Sequence, residues 1–414
     1  ILLLFALVVV VLAETVGLWF VNHKLNISTE RMCAANWIYQ FSVLSFIFEM
    51  ISVPYSASVI SHEKMGTFAF VTILKVILTL GIAFLLSVSP MDKLVFYGLL
   101  VLFVSILVQL MYWIYCKKNF RECRYSFHID KTIFRNMFGF AGWNFLTTCA
   151  SMLSSQGVSI ILNIHFGTVV NAAKGIASQV NGTVGAFSKN FTTALSPQIT
   201  KSYAARELEY TKNLVCKGSK FSYLLFFLIA LPCILEVDFL LSKWLKEVPP
   251  YAGAFVQLSL LNSLVEVLLN SSEILNRASG KIRNFQILVS VTQILILLFS
   301  YIIIDITSNP VWAMAVTNIL YIMIFVPRII INKPFIGITF GYYFRKVLCG
   351  IIIMSVLSLT ISLIPIYFLD DGWLRLAIVS MVSTMSIILF SYLFVLTKGE
   401  KETISNFIKK KLSV

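Results

Sequence analysis

Three lysines stand inside long apolar stretches of this chain: Lys75, Lys174 and Lys189. An ammonium group offers three donors and no acceptor, so each could attract an anion as a point charge. Glu14, Glu49 and Glu266 occupy similar surroundings. A carboxylate there could exchange a proton, hold a cation, or pair with a lysine. If these stretches cross a bilayer, each charge near its centre costs about 2.5–3.5 kcal/mol and tends to face a cavity, a partner or the interface.

Two of the lysines share one segment, NAAKGIASQVNGTVGAFSKNFTTALSPQI at 171–199, which contains no Asp, Glu or Arg. At about 100° per residue, Asn171, Lys174, Ser178, Asn181, Gly185, Ser188, Lys189, Thr192 and Ser196 fall within one sector of a helix. Val180, Val184, Phe187 and Phe191 fall opposite. The spacing therefore predicts an amphipathic helix with a lysine toward each end of its polar stripe. Lys189 is expected to face a cavity. Lys174 is open to two readings, a cavity group or a side chain that snorkels to the nearer interface.

The elements that position these groups follow from composition. The 414 residues are 58% hydrophobic and only 13% charged, with a mean hydropathy of +0.87. A soluble domain carries far more charge. Apolar runs of membrane-spanning length recur throughout, which predicts an all-α polytopic membrane protein. The expected spans are 1–21, 33–61, 66–88, 91–116, 137–165, 168–200, 218–245, 251–278, 283–305, 310–331, 344–369 and 371–396. Of the 33 Lys and Arg, 24 lie in loops after even-numbered spans or in the tail, and 6 lie in or beside the alternate loops. Such a bias places the C-terminus in the cytoplasm. The remaining three are Lys75, Lys174 and Lys189. The net charge of +14 is thereby read as membrane topology and not as a nucleic-acid surface.

An internal repeat organises the spans. A shift of 217 residues aligns Gln40 with Gln257, Ser42 with Ser259, Leu44 with Leu261, Glu49 with Glu266, Lys64 with Lys281 and Phe68 with Phe285. Both copies run in the same direction, the arrangement of a parallel repeat. The expected parts are a four-helix N-terminal lobe at 1–116, a basic linker at 117–136, a six-helix lobe at 137–331, and a final helix pair with a basic tail at 332–414. If the two lobes were equal, two helices would precede residue 1 and the intact protein would have about fourteen.

Other polar residues in the spans fit a lined cavity or packed helices. Gln156 lies in a row with Ser151, Ser155, Ser159 and Asn163. Glu266 shares a face with Asn262, Asn270 and Glu273. Glu49 could serve as a proton or cation site or pair with Lys75. No phosphate-binding glycine loop, HExxH or GxSxG occurs, and the four His are scattered, so neither an enzyme, a metal nor a cofactor is expected. The seven Cys form no CxxC pair and suggest neither a disulfide framework nor a zinc site.

Residues 137–204, MFGFAGWNFLTTCASMLSSQGVSIILNIHFGTVVNAAKGIASQVNGTVGAFSKNFTTALSPQITKSYA, and VPYSASVISHEKMGTFAFVTILKVI at 53–77 resemble Wzx-type O-antigen and lipopolysaccharide flippases. These form part of the polysaccharide-transporter branch of the multidrug/oligosaccharidyl-lipid/polysaccharide exporter superfamily. The resemblance implies two six-helix lobes plus a final pair. It also implies flipping of undecaprenyl-pyrophosphate-linked oligosaccharide across the bacterial inner membrane. Expected partners are that lipid-linked oligosaccharide, membrane lipids and other polysaccharide-assembly membrane proteins. The cationic cavity of the family would draw on Lys189, Lys174 and Lys75, with Asn181, Ser178 and Gln156 beside them. Glu49, Glu266 and Glu14 would serve as coupling-ion or structural charges. Alternatives are a drug exporter of the same fold, which acidic cavity residues would favour, and a membrane glycan polymerase or ligase, which would need a sizeable outer loop. A scaffold without transport would tolerate removal of the intramembrane charges.

Overall fold

The computed structural model describes residues 2–23, 29–88, 92–123, 131–397 and 399–402. Among the described residues the chain is helical and contains no strand. Lipid offers no hydrogen-bond partner to a peptide group, and a helix satisfies its own. Ten helical stretches among them are long and apolar enough to cross a membrane. The chain divides into two compact units, 1–129 and 130–414.

The first unit opens with α1 (Leu2–Leu12), a π-helical turn at Ala13–Gly17, and α2 (Leu18–His23). It continues with α3 (Thr29–Ser61), α4 (Met65–Leu85) and α5 (Lys93–Asn119). Tyr39 of α3 explains the π turn. Its hydroxyl donates to the Ala13 carbonyl oxygen at 2.6 Å, and a Cβ on Gly17 would lie 2.1 Å from that hydroxyl. The widened turn accommodates the tyrosine between the helices. α3 packs on both α4 and α5. Val59, Val71, Tyr112, Cys116 and Phe120 form the buried apolar cluster at one end.

The second unit begins with α6 (Lys131–Ala204), one helical run bent at Gly167, whose φ of 79° no other residue type adopts as readily. Next come α7 (Leu208–Leu235), α8 (Val237–Trp244), α9 (Ala252–Ala278), α10 (Arg283–Thr307) and α11 (Val311–Ile330). Two short helices, α12 (Lys333–Ile336) and α13 (Phe340–Tyr343), lead to α14 (Cys349–Phe368) and α15 (Trp373–Phe390). A π turn at Phe344–Leu348 opens α14 and another at Ser391–Val395 closes α15. The core centres on α7 and α9, where Phe226, Phe255, Leu260 and Leu269 are fully buried. At Gly218 a Cβ would lie 2.3 Å from Ser271 Oγ and 2.4 Å from Leu195. Only a glycine lets α7 approach both neighbours so closely.

Three differences from the expected spans have physical causes. The seventh span starts at Leu208, ten residues before 218. Its polar first half reads as a loop, but Thr211, Ser219 and Lys220 are buried against other helices. Lys220 and Arg328, assigned to loops by charge counting, are both buried inside helices. The first and sixth spans are helical but absent from the ten apolar ones. The first is interrupted by its π turn. The sixth, residues 168–200, carries many polar side chains.

Candidate functional site

The second half of α6 buries Ala173, Ala177, Val184 and Ser188 against the core of its unit. Between Ala172 and Asn190 its exposed residues are Ala172, Gly175, Ser178, Gln179, Gly182, Thr183, Ala186, Phe187, Lys189 and Asn190. Phe187 is the one bulky apolar side chain among them. The exposed side chains of α4 are very different: Phe70, Ile73, Ile77, Leu80 and Phe84 are all above half exposure. The first half of α6 likewise exposes Phe145, Leu146, Met152, Leu153, Ile160 and Ile164. Faces of that kind suit lipid. A face of glycine, alanine, amide, hydroxyl and ammonium suits water or a polar ligand.

The face that sequence spacing predicts is therefore rotated in the structure. Lys189 and Ser178 are exposed. Asn181, Ser188 and Thr192 turn toward the unit's interior, where the Thr192 hydroxyl donates to the Ser188 carbonyl oxygen at 2.8 Å. Gln179, Thr183 and Asn190 take their place on the exposed face. A sector drawn from polarity alone missed them, because packing decides which edge of a broad polar sector is covered. Mapping the small residues together with the polar ones could have found this face.

The two lysines of this helix have different roles. Lys174 is half-buried and donates to the Ser155 carbonyl oxygen at 2.6 Å and to Ser159 Oγ at 2.8 Å. It fastens the two halves of α6 to each other. Lys189 is exposed, and its ammonium has no hydrogen-bond or ion-pair partner among the described residues. Gln156, on the first half of α6, is exposed.

In the first unit, Lys75 Nζ pairs with Glu49 Oε1 at 2.9 Å. Both side chains are about half exposed, at 47% and 53%, so the pair neutralises two charges on one helix surface. Glu14 lies in the π turn, where Gln40 Nε2 donates to Glu14 Oε2 at 3.0 Å. The aligned Gln257 of the second unit also reaches back toward an earlier helix, donating to the Ile234 carbonyl oxygen of α7 at 3.0 Å. The aligned glutamates differ. Glu266 lies within electrostatic reach of the Tyr321 hydroxyl and of Arg328. Gln293 Nε2 donates to Tyr321 Oη at 2.8 Å. Arg328 in turn lies 3.9 Å from Glu273 Oε2 and over the Phe285 ring. Its Nε and Nη1 are buried without a protein partner among the described residues. Sequence reasoning missed Tyr321, Gln293 and Arg328, because the packing of α11 on α9 and of α10 on α11 is invisible in linear spacing.

Fold and side-chain distribution together define a multi-pass helical membrane protein with one polar, lysine-bearing helix face. Neither a protein-family model nor a curated protein sequence matches this chain.

Proposed function

We propose that this protein moves an anionic, lipid-linked glycan across a bilayer by alternating access, in the manner of the Wzx-type flippases that its sequence resembles. The observation that supports this best is the exposed face of α6 between Ala172 and Asn190. A membrane helix that exposes small and polar side chains lines a wet path or a polar ligand more readily than hydrocarbon. On that face Lys189 is the unpartnered cation, and a diphosphate is the anion it would attract. Ser178, Gln179, Thr183 and Asn190 supply donors and acceptors for sugar hydroxyls. The prenyl chain stays in lipid while one repeat rocks against the other. Lys174 positions the face and does not contact the ligand, since its donors are directed to Ser155 and Ser159. In this reading Lys75 is a structural partner of Glu49 and not a ligand group. The protein works in the bacterial inner membrane with its basic loops and C-terminus in the cytoplasm, and serves surface-polysaccharide assembly without bond-making chemistry.

The test is complementation of a bacterial strain that lacks its flippase, with surface polysaccharide as the readout. The full-length protein restores surface glycan, and Lys189→Ala reduces it while expression stays normal. Normal surface glycan with Lys189→Ala overturns the role given to this lysine.

A further inference from the structure

Near the start of α7, lysines gather around a single buried carboxylate that comes from the C-terminal tail. Lys220 is almost wholly enclosed, yet its Nζ donates to the Val395 carbonyl oxygen at 3.1 Å and lies 3.6 Å from Glu400 Oε2. The Lys220 and Glu400 side chains are only 4% and 7% exposed. The Thr397 N–H donates to the same Glu400 oxygen at 2.8 Å. Lys212 and Lys346 join Lys220 within electrostatic reach of the Cys216 sulfur, and Lys217 lies within reach of Glu400.

The charges here are unbalanced. Glu209 engages Lys212 at 3.5 Å, and Lys212 also lies over the Tyr342 ring. Lys217 and Lys346 are exposed and have no ion-pair partner among the described residues. Glu400 is thus the buried carboxylate that meets Lys220 and Lys217, and it stands on the segment that follows α15. A buried ion pair contributes little net stability, and its best-attested use is in register and switching. The neighbouring Gly218 fixes Lys220 in place by letting α7 sit tightly on α9.

We propose that Lys220, Lys217 and Lys346 form a phosphate-binding site, and that Glu400 occupies it as a built-in, displaceable substitute. A phosphate group fits the chemistry: it is anionic, accepts several hydrogen bonds, and would satisfy Lys220 once the tail withdraws. Val395 and Leu396 connect the tail to α15, so displacement frees the segment beyond the π turn. The proposal is independent of the transport reading, because it uses none of the α6 face.

Hydrogen exchange of the tail peptide around Thr397 and Glu400 reads this directly, with the full chain in zwitterionic nanodiscs. Adding phosphatidylglycerol to the discs speeds exchange of the tail amides by about tenfold, as expected for a ligand that competes with a docked segment. A second arm adds inorganic pyrophosphate; acceleration there and not with the lipid identifies a soluble anion as the source. Lys217→Gln with Lys346→Gln, both at exposed positions, loses the acceleration. Glu400→Gln exchanges fast with no anion added. The proposal is overturned if neither anion changes tail exchange, if the double variant still responds, or if Glu400→Gln exchanges as slowly as the parent.

Discussion

The Lys174 ammonium lies 2.6 Å from the Ser155 carbonyl oxygen across the bend of α6. Fifteen residues further along the same helix, Lys189 is exposed and unpartnered among the described residues. One lysine holds the helix pair together and the other is available to a ligand. This division makes their substitutions separable.

Lys174→Met removes a charged donor from two acceptors and lowers thermal stability by about 1–2 kcal/mol. Lys189→Met leaves stability within about 0.5 kcal/mol. Thermal unfolding in detergent distinguishes them. Equal losses for both would show that Lys174 is not the fastening group.

The polar face of α6 also predicts a labelling pattern. In a background lacking native cysteines, Ser178→Cys, Gly182→Cys and Lys189→Cys react with a charged, membrane-impermeant thiol reagent in intact membranes. Ile160→Cys and Ile164→Cys, on the apolar face of the first half of α6, do not. Uniform protection of all five positions would remove the aqueous path from the account.

At the far end of α7, Arg375 holds Glu236 with two hydrogen bonds, Nε to Oε1 at 2.9 Å and Nη2 to Oε2 at 2.8 Å. The Glu236 side chain is fully enclosed. Arg375→Ala therefore strands a buried carboxylate and destabilises the chain by about 3–5 kcal/mol. Replacing both partners, Glu236→Gln with Arg375→Met, recovers a large part of that loss. A double-mutant cycle from denaturation midpoints checks the coupling. Additive losses would mean that the pair does not join α15 to α7.

The tail latch has a defined pH response. Burial alone would raise the Glu400 carboxyl, but the Thr397 N–H and the Lys220 and Lys217 cations outweigh it and hold it below the usual carboxylate range. A group whose folded pKa is depressed stabilises the docked state above its free value and loses that contribution as pH falls through the folded one. Tail docking is therefore unchanged between pH 8 and 6 and weakens below about pH 4. Hydrogen exchange of the tail across that range measures it. Release between pH 8 and 6 would contradict the assignment of Glu400.

The amino-acid sequence by itself determined that this is a multi-pass helical membrane protein, because hydropathy and span length depend only on local composition. It also identified the helix at 168–200 as exceptional, and it raised the pairing of Lys75 with Glu49 as one of two readings. Tertiary structure decided the rest. Which edge of the α6 polar sector is covered depends on packing against the unit's core, so Asn181 and Ser188 turn inward while Gln179 and Asn190 are exposed. Lys220 and Arg328 look like loop cations in one dimension. They are buried because helices distant in sequence close over them, and a lysine can be enclosed where a carboxylate 180 residues away arrives to meet it.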